Sequence, residues 1–144
     1  MTYKMILVGY DGSENAKRAL GRAVQLAKTD DSSPELRIVV VADTGGHALF
    51  QPDRATAETR NTLESAKNLL SDAIYTSKEG GVSQPYGSVE EGHPASMILT
   101  LASEYKADLI VVGRRGVRGL QRFLMGSVSS AVISNALCDV LVVK

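Results

Sequence analysis

Cysteine and aromatic residues are scarce in this sequence. Among 144 residues there are no tryptophans, two phenylalanines and a single cysteine, Cys138. One cysteine cannot form an internal disulfide, so we expect a reducing compartment, the cytoplasm. Cys138 lies between a helical pattern and an apolar run, where it should act as a small apolar residue. The scarcity of aromatic rings also argues against a flavodoxin-like carrier, whose flavin would need stacking partners.

A net charge and a long hydrophobic segment are missing as well. Lys plus Arg and Asp plus Glu both number 16, so no overall basic field favours nucleic-acid binding. The first apolar stretch, Met5–Val8, is too short for a signal peptide or a membrane span. We therefore expect neither a nucleic-acid partner nor a membrane partner. The arginines are nevertheless uneven, because one short segment contains Arg114, Arg115, Arg118 and Arg122.

Familiar catalytic and nucleotide motifs are also missing. The sequence has no G-x-x-x-x-G-K-[ST] loop, and the first apolar run is not followed by G-x-G-x-x-G. His47 and His93 are too isolated to form a zinc ligand set. No residue is placed by sequence as a general base beside a nucleophile. A dinucleotide enzyme, a zinc enzyme and an efficient hydrolase are all disfavoured.

Short apolar runs and helical patterns alternate along the whole chain. The runs are rich in Val, Ile and Leu without strict alternation, as in parallel strands covered on both faces; they are Met5–Val8, Leu36–Ala42, Leu109–Val112 and Val140–Val143. A weaker fifth candidate, Val82–Val89, contains Pro85 and Gly87 and is placed at a sheet edge.

Four helices are predicted between these runs. The first is capped by Ser13, the second runs from about Ala55 to Ser77, the third begins at Pro94, and the fourth starts at Ser127. The βαβαβαβαβ order predicts a single domain over residues 1–144, with a doubly wound parallel sheet and helices on both faces. Ligands of such α/β sheets bind beyond the carboxyl ends of the strands. We expect the turn after the first strand to meet the loop after the fourth strand there.

The loop after the fourth strand is the most informative segment. It reads G-x2-G-x9-G-S from Gly113 through Gly116 to Gly126 and Ser127, and it joins a predicted strand to a predicted helix. Glycines allow a close backbone approach, and a helix N-terminus offers unpaired N–H groups with partial positive charge. Such a combination favours a phosphate. The plainer interpretation is a surface loop in which Ser127 only caps the helix.

At this point the chain resembles the universal stress protein family, in its ATP-binding branch. The resemblance rests on the G-x2-G-x9-G-S spacing, on the turn Gly9–Ser13, on Gly92-His93-Pro94 before the third helix, and on the final strand. It covers essentially the whole chain. It implies a Rossmann-like, five-stranded parallel sheet with strand order 3-2-1-4-5. The implied ligand is ATP, or AMP or ADP, together with Mg²⁺.

The resemblance also implies roles for individual residues. Asp11 would accept hydrogen bonds from the ribose or adenine, and the backbone of Val41 would meet the adenine edge. Gly113, Arg115 and Gly116 would lie against ribose and phosphates. The remaining implied nucleotide contacts are at the ends of the first and fourth strands and at the start of the fourth helix: Gly9, Tyr10, Val112, Gly126, Ser127, Val128 and Ser129.

Elementary chemistry agrees with this arrangement but leaves alternatives open. A carboxylate only accepts hydrogen bonds and would repel phosphates, so Asp11 suits the ribose end. Equally, Asp11 could be a turn residue that bonds its own backbone.

Three functions are compatible with the sequence. They are a nucleotide-dependent regulatory or stress-response module, a slow ATPase or phosphoryl or nucleotidyl transferase, and an assembly protein with a vestigial site. In the family the last strand forms the usual dimer contact, so a homodimer through Val140–Val143 is expected. Asp139 stands where the family commonly has proline.

Overall fold

The computed structural model describes residues 2–44, 56–115 and 125–144. Within these ranges strands and helices alternate in the predicted order: β1 (Met5–Gly9), α1 (Glu14–Thr29), β2 (Glu35–Ala42), α2 (Ala57–Glu79), β3 (Tyr86–Glu91), α3 (Pro94–Glu104), β4 (Leu109–Gly113), α4 (Ser127–Asn135) and β5 (Asp139–Val143). Several residues named in the predictions lie outside the described residues: Ala55, Gly116, Arg118, Arg122 and His47.

The five strands form one parallel sheet in the order β3-β2-β1-β4-β5. This confirms the predicted α/β class and strand order. The strands β1 and β4 are central and almost wholly buried. Both faces of the sheet are covered, which explains why their sequences are continuously apolar.

Each face of the sheet has its own apolar core. On one face α1 and α2 pack against alternate strand residues such as Ile6 and Ile38. On the other face α3 and α4 pack against the intervening residues, such as Leu7 and Ile110. Cys138 is half-buried beside this second core, and burial is the main cause that raises the pKa of its thiol. The first two helices therefore cover one face and the last two cover the other, as a doubly wound sheet requires.

The structure tests three of the sequence predictions at single residues and corrects one of them. The edge strand begins at Tyr86, directly after Pro85, rather than at Val82, because proline has no N–H to donate to the ladder. Its position at the sheet edge is confirmed. Ser13 caps α1 as predicted, since its hydroxyl accepts from the Ala16 N–H at 3.2 Å. In the described ranges, no helix is long and apolar enough to cross a membrane.

Candidate functional site

The sheet reverses its order of growth between β1 and β4. After β1 the chain turns to α1 on one face, and after β4 it continues toward α4 on the other. Adjacent parallel strands whose connections diverge leave a crevice at their carboxyl ends, and ligands of α/β sheets bind there. The fold thus places the two predicted loops at one location.

Direct contacts show that these two connections meet. The Ser13 hydroxyl lies 3.4 Å from the carbonyl oxygen of Arg115, to which it donates. Gly113 packs against the first turn of α1, where a Cβ would come within 2.8 Å of the Ala16 nitrogen and of two Asn15 atoms. The predicted meeting of the two segments is confirmed. Gly113 is required by this helix contact.

The start of α4 is held by the beginning of the loop that follows β4. The N–H of Gly126 donates to the Arg114 carbonyl at 2.8 Å. Gly126, not Ser127, is the N-cap, and no side chain caps the helix. The expectation that Ser127 caps α4 is therefore wrong: Ser127 is the first helical residue. A glycine cap is tolerated because the neighbouring backbone satisfies the first N–H group.

The Ser129 side chain has a structural task. Its residue is buried, and its hydroxyl lies 2.7 Å from the carbonyl oxygen of Arg114 and 3.1 Å from that of Gly126. The single hydroxyl hydrogen is shared between these two acceptors. Ser129 is one of the nucleotide contacts that the resemblance implies, and in this structure its hydroxyl ties Arg114 to the start of the helix.

The backbone amides at the start of α4 form the strongest electrostatic feature of the site. The first intrahelical bond is donated by Ser130 to the Gly126 carbonyl at 3.0 Å. The N–H groups of Ser127, Val128 and Ser129 precede that bond, and helix geometry provides them with no partner in the helix. They add to the partial positive charge at the N-terminus of α4, so this end of the helix favours an anion.

The end of β1 contributes mainly backbone. The Tyr10 side chain is buried in the α1–α2 core, and burial raises the pKa of its hydroxyl. Its N–H donates to the Val39 carbonyl at 2.9 Å. A Cβ on Gly9 would lie 2.7 Å from the Ile98 Cδ1 atom, so this glycine admits a side chain from α3. The side chain of Tyr10 faces away from the crevice.

Asp11 occupies the turn between β1 and α1. Its Oδ1 atom accepts from the Ser13 N–H at 2.9 Å, the pattern of an Asx turn. Gly12 follows with φ of +80°, and a Cβ there would lie 2.6 Å from Leu69 of α2. The turn role considered for Asp11 is present in the structure, and it positions the carboxylate at the crevice.

Val41 and Val112 lie near the carboxyl ends of β2 and β4. Val112 is buried and Val41 half-buried, both within the core beneath α3 and α4. Their side chains are committed to packing, so only their backbones remain for a ligand. Beyond Val41, Thr44 donates a hydrogen bond to the Glu91 carboxylate, which links the ends of β2 and β3.

Two polar groups at the crevice have no hydrogen-bond partner among the described residues. The Nε and Nη2 atoms of Arg115 are buried and unpaired, and so is the Oδ1 atom of Asn15. Sequence reasoning identified Arg115 but missed Asn15. The signal was weak: Asn15 follows the capping Ser13 by two residues, in the first turn of α1, where a polar residue is ordinary.

The described residues contain no group of three or more His, Cys, Asp and Glu side chains arranged to hold a metal ion. What the structure brings together is a set of hydrogen-bond donors. These are three helix amides and the buried Nε and Nη2 atoms of Arg115, with the Asp11 carboxylate on the neighbouring turn.

Comparison with known proteins agrees with the fold. Residues 2–144 match the universal stress protein family. A putative universal stress protein of Staphylococcus aureus strain USA300 is 38% identical over 145 residues, which cover 100% of this chain and 86% of the relative.

Two solved structures that resemble this chain contain an adenylate. A universal stress protein in complex with cAMP superposes with a TM-score of 0.77 at 28% identity, covering 100% of this chain and 99% of that one. The Archaeoglobus fulgidus universal stress protein in complex with dAMP superposes with a TM-score of 0.66 at 27% identity, and the match covers 100% of this chain and 100% of that one. Since the family match spans nearly every residue and the sheet order is as the resemblance implied, this chain belongs to the universal stress protein family.

Proposed function

We propose that this protein binds an adenine nucleotide at the crevice between β1 and β4, as the ATP-binding branch of its family does. In this proposal it acts as a nucleotide-dependent regulatory module. The observation that carries it is that Arg115 adjoins the start of α4, where a Cβ on Gly126 would lie 3.2 Å from the Arg115 Cα atom, while its Nε and Nη2 atoms are buried without a partner among the described residues. A desolvated guanidinium is costly unless it meets an acceptor, and phosphate oxygens match its planar fork.

The site residues divide by chemistry into two ends. The amides of Ser127, Val128 and Ser129 and the side chain of Arg115 would hold the phosphates. Asp11 would accept from the ribose hydroxyls, because a carboxylate is repelled by phosphate and only accepts. The backbones at the ends of the central strands would border the base, with Val41 next to adenine.

The nature of the ligand is supported by the solved relatives. The two described above are complexes with cAMP and with dAMP, and both ligands are adenylates. We propose ATP as the ligand, with AMP and ADP as alternatives, and Mg²⁺ bound to the phosphates. Because Mg²⁺ is usually held by phosphate oxygens and only one or two carboxylates, this proposal requires no dedicated protein cage.

A proline substitution tests the amide contribution directly. Ser127→Pro removes one N–H group at the first position of α4, where proline is well tolerated. The preceding residue has φ −69° and ψ 160°, which suits a residue before proline. Loss of one charge-assisted hydrogen bond should weaken ATP binding about 10- to 100-fold in isothermal titration. Ser127→Ala is the control, since it keeps the amide and removes only the hydroxyl.

Three results would decide the proposal. Binding of ATP, ADP or AMP by the wild-type protein, with loss in Ser127→Pro and not in Ser127→Ala, supports it. Absence of binding to all three at millimolar concentration contradicts nucleotide binding. Steady phosphate release during the titration would instead favour the slow ATPase considered from the sequence.

We also propose that the protein forms a homodimer along β5. This strand lies at the edge of the described sheet, where its unpaired backbone is a template for another strand. Val140, Leu141 and Val142 are half-buried, and the adjoining Leu137 is fully exposed. Asp139 accepts a hydrogen bond from the Tyr3 hydroxyl at 3.0 Å within the same chain.

A further inference from the structure

The first turn of α1 and the end of β4 form a narrow crease at the candidate site. A Cβ on Gly113 would lie 2.8 Å from the Cβ of Asn15, so the two backbones are nearly in contact. Within this crease the Oδ1 atom of Asn15 is inaccessible to solvent and accepts no hydrogen bond from any residue that the structure describes. A buried carbonyl oxygen in this condition is exceptional in a folded protein.

Arg115 lies along the same crease. Its carbonyl oxygen is 3.4 Å from the Ser13 hydroxyl, so Ser13 at the N-cap of α1 lies beside Arg115, just as Asn15 in the first turn lies beside Gly113 at the end of β4. The Nε and Nη2 atoms of Arg115 are buried and, within the described part of the chain, make no hydrogen bond. An unpaired acceptor and unpaired donors thus occur at one junction.

A purely structural role does not account for Asn15. The Asn15 side chain is half-buried, and burial of its Oδ1 atom without a hydrogen bond costs free energy. An apolar side chain of similar shape would serve the packing better. Residues that weaken the fold locally while facing a crevice are expected at functional sites.

We infer that Asn15 is a positioning residue for the phosphate end of the ligand, acting through Arg115. This inference rests on the proposed nucleotide binding. A guanidinium has five N–H donors. When a phosphate enters, Arg115 donates one hydrogen bond to the Asn15 Oδ1 atom and its other hydrogen bonds to phosphate oxygens. The planar guanidinium of Arg115 is then held in one orientation at low cost in side-chain entropy.

The amide chemistry of Asn15 suits this task better than a carboxylate would. An aspartate would form an ion pair with Arg115 and neutralise the charge that attracts the ligand. It would also repel the phosphates. The neutral carbonyl of asparagine accepts a hydrogen bond and leaves the positive charge of Arg115 available. The residue type therefore fits an orienting role beside an anion.

The variant Asn15→Leu separates this role from a structural one. Leucine has the same number and branching of side-chain heavy atoms and no unpaired acceptor, so the ligand-free melting temperature should stay the same or rise. ATP affinity should fall roughly tenfold, the usual effect of losing a hydrogen bond to a charged group. Adenosine, which has no phosphate, should bind Asn15→Leu and wild type equally. Asn61→Leu, at an exposed position of α2, is the matched control and should change neither affinity.

A double-mutant cycle tests whether Asn15 acts through Arg115. Arg115→Ala should weaken ATP binding and leave adenosine binding unchanged. In the Arg115→Ala background, Asn15→Leu should cause no further loss, because the group that it orients has been removed.

Different results would contradict different parts of this inference. A lower melting temperature with equal losses for ATP and adenosine would show a structural asparagine. An undiminished effect in the Arg115→Ala background would overturn the coupling. Normal ATP binding by Asn15→Leu would overturn the role of Asn15 alone, whereas a wild-type protein that binds neither compound would remove the proposed function together with this inference.

Discussion

Replacing Gly113 with alanine should destabilise the protein even when no nucleotide is present. The new Cβ would lie 2.8 Å from the Ala16 nitrogen and from two Asn15 atoms. That is about 0.7 Å closer than a favourable carbon contact. Two of these atoms belong to the backbone of α1 and cannot rotate away, so α1 and β4 must separate.

The size of the effect can be worked from this contact. Overpacking of this kind costs up to about 3 kcal/mol. Alanine recovers roughly 0.5–1 kcal/mol through the less flexible unfolded chain, and the backbone of Gly113 does not need positive φ. The net loss is therefore about 2 kcal/mol. With an unfolding entropy of about 2 cal/mol/K per residue over 144 residues, the melting temperature should fall by about 7 °C.

Thermal unfolding followed by circular dichroism, without nucleotide, is the assay. Gly21→Ala is the matched control, because this exposed glycine lies within α1 and a Cβ there would meet nothing within 4 Å. Its substitution should raise the melting temperature by about 2–3 °C through higher helix propensity. If Gly113→Ala melted like wild type and only lost nucleotide affinity, the glycine would serve the ligand and not the helix contact.

Two further predictions concern acid stability and association. The pKa of Asp30 is lowered, mainly by the Ser32 N–H and then by the Tyr3 N–H, so the folded state favours its ionised form. The resulting stability is present above the ordinary aspartate pKa of about 4, and it is lost as the pH falls through the lower pKa of the folded state. The free energy of unfolding of Asp30→Asn should therefore depend less on pH below about 4 than that of wild type. For the proposed dimer, Leu137→Glu should shift sedimentation equilibrium toward the 15.3 kDa chain without loss of fold, whereas Tyr75→Glu, on the exposed face of α2, should leave the assembly unchanged. A wild-type mass equal to one chain, or a dimer unaffected by Leu137→Glu, would count against this surface.

The Gly126 contact changes an expectation from the sequence. The glycine spacing alone predicts that Gly126 lets the backbone come close to a phosphate. In the structure a Cβ at Gly126 would lie 3.0 Å from the Arg114 carbonyl oxygen and 3.2 Å from the Arg115 Cα atom. Packing within the protein already requires a small residue, so Gly126→Val should lower the melting temperature as well.

Local patterns in the chain were enough for the architecture. The apolar runs predicted β1, β2, β4 and β5 to within a few residues, because strands covered on both faces need continuous Val, Ile and Leu. Ser13 and Pro94 marked helix starts, since capping and a fixed φ are properties of single residues. Where pattern and backbone chemistry conflicted, as around Pro85, the boundary shifted by four residues.

The roles of the site residues depended on the tertiary structure. Sequence alone could indicate a donor-rich loop, but not that the Ser129 hydroxyl is used within the loop or that Gly113 faces α1. Nor could it show that Asn15 lies against Gly113, or that buried polar atoms of Asn15 and Arg115 have no partner in the part of the chain that the structure describes. Secondary structure follows from the preferences of neighbouring residues, whereas burial and pairing are set by residues more distant in sequence, 15 positions away for Ser129 with Arg114 and 102 for Ser13 with Arg115, which only the folded chain brings into contact.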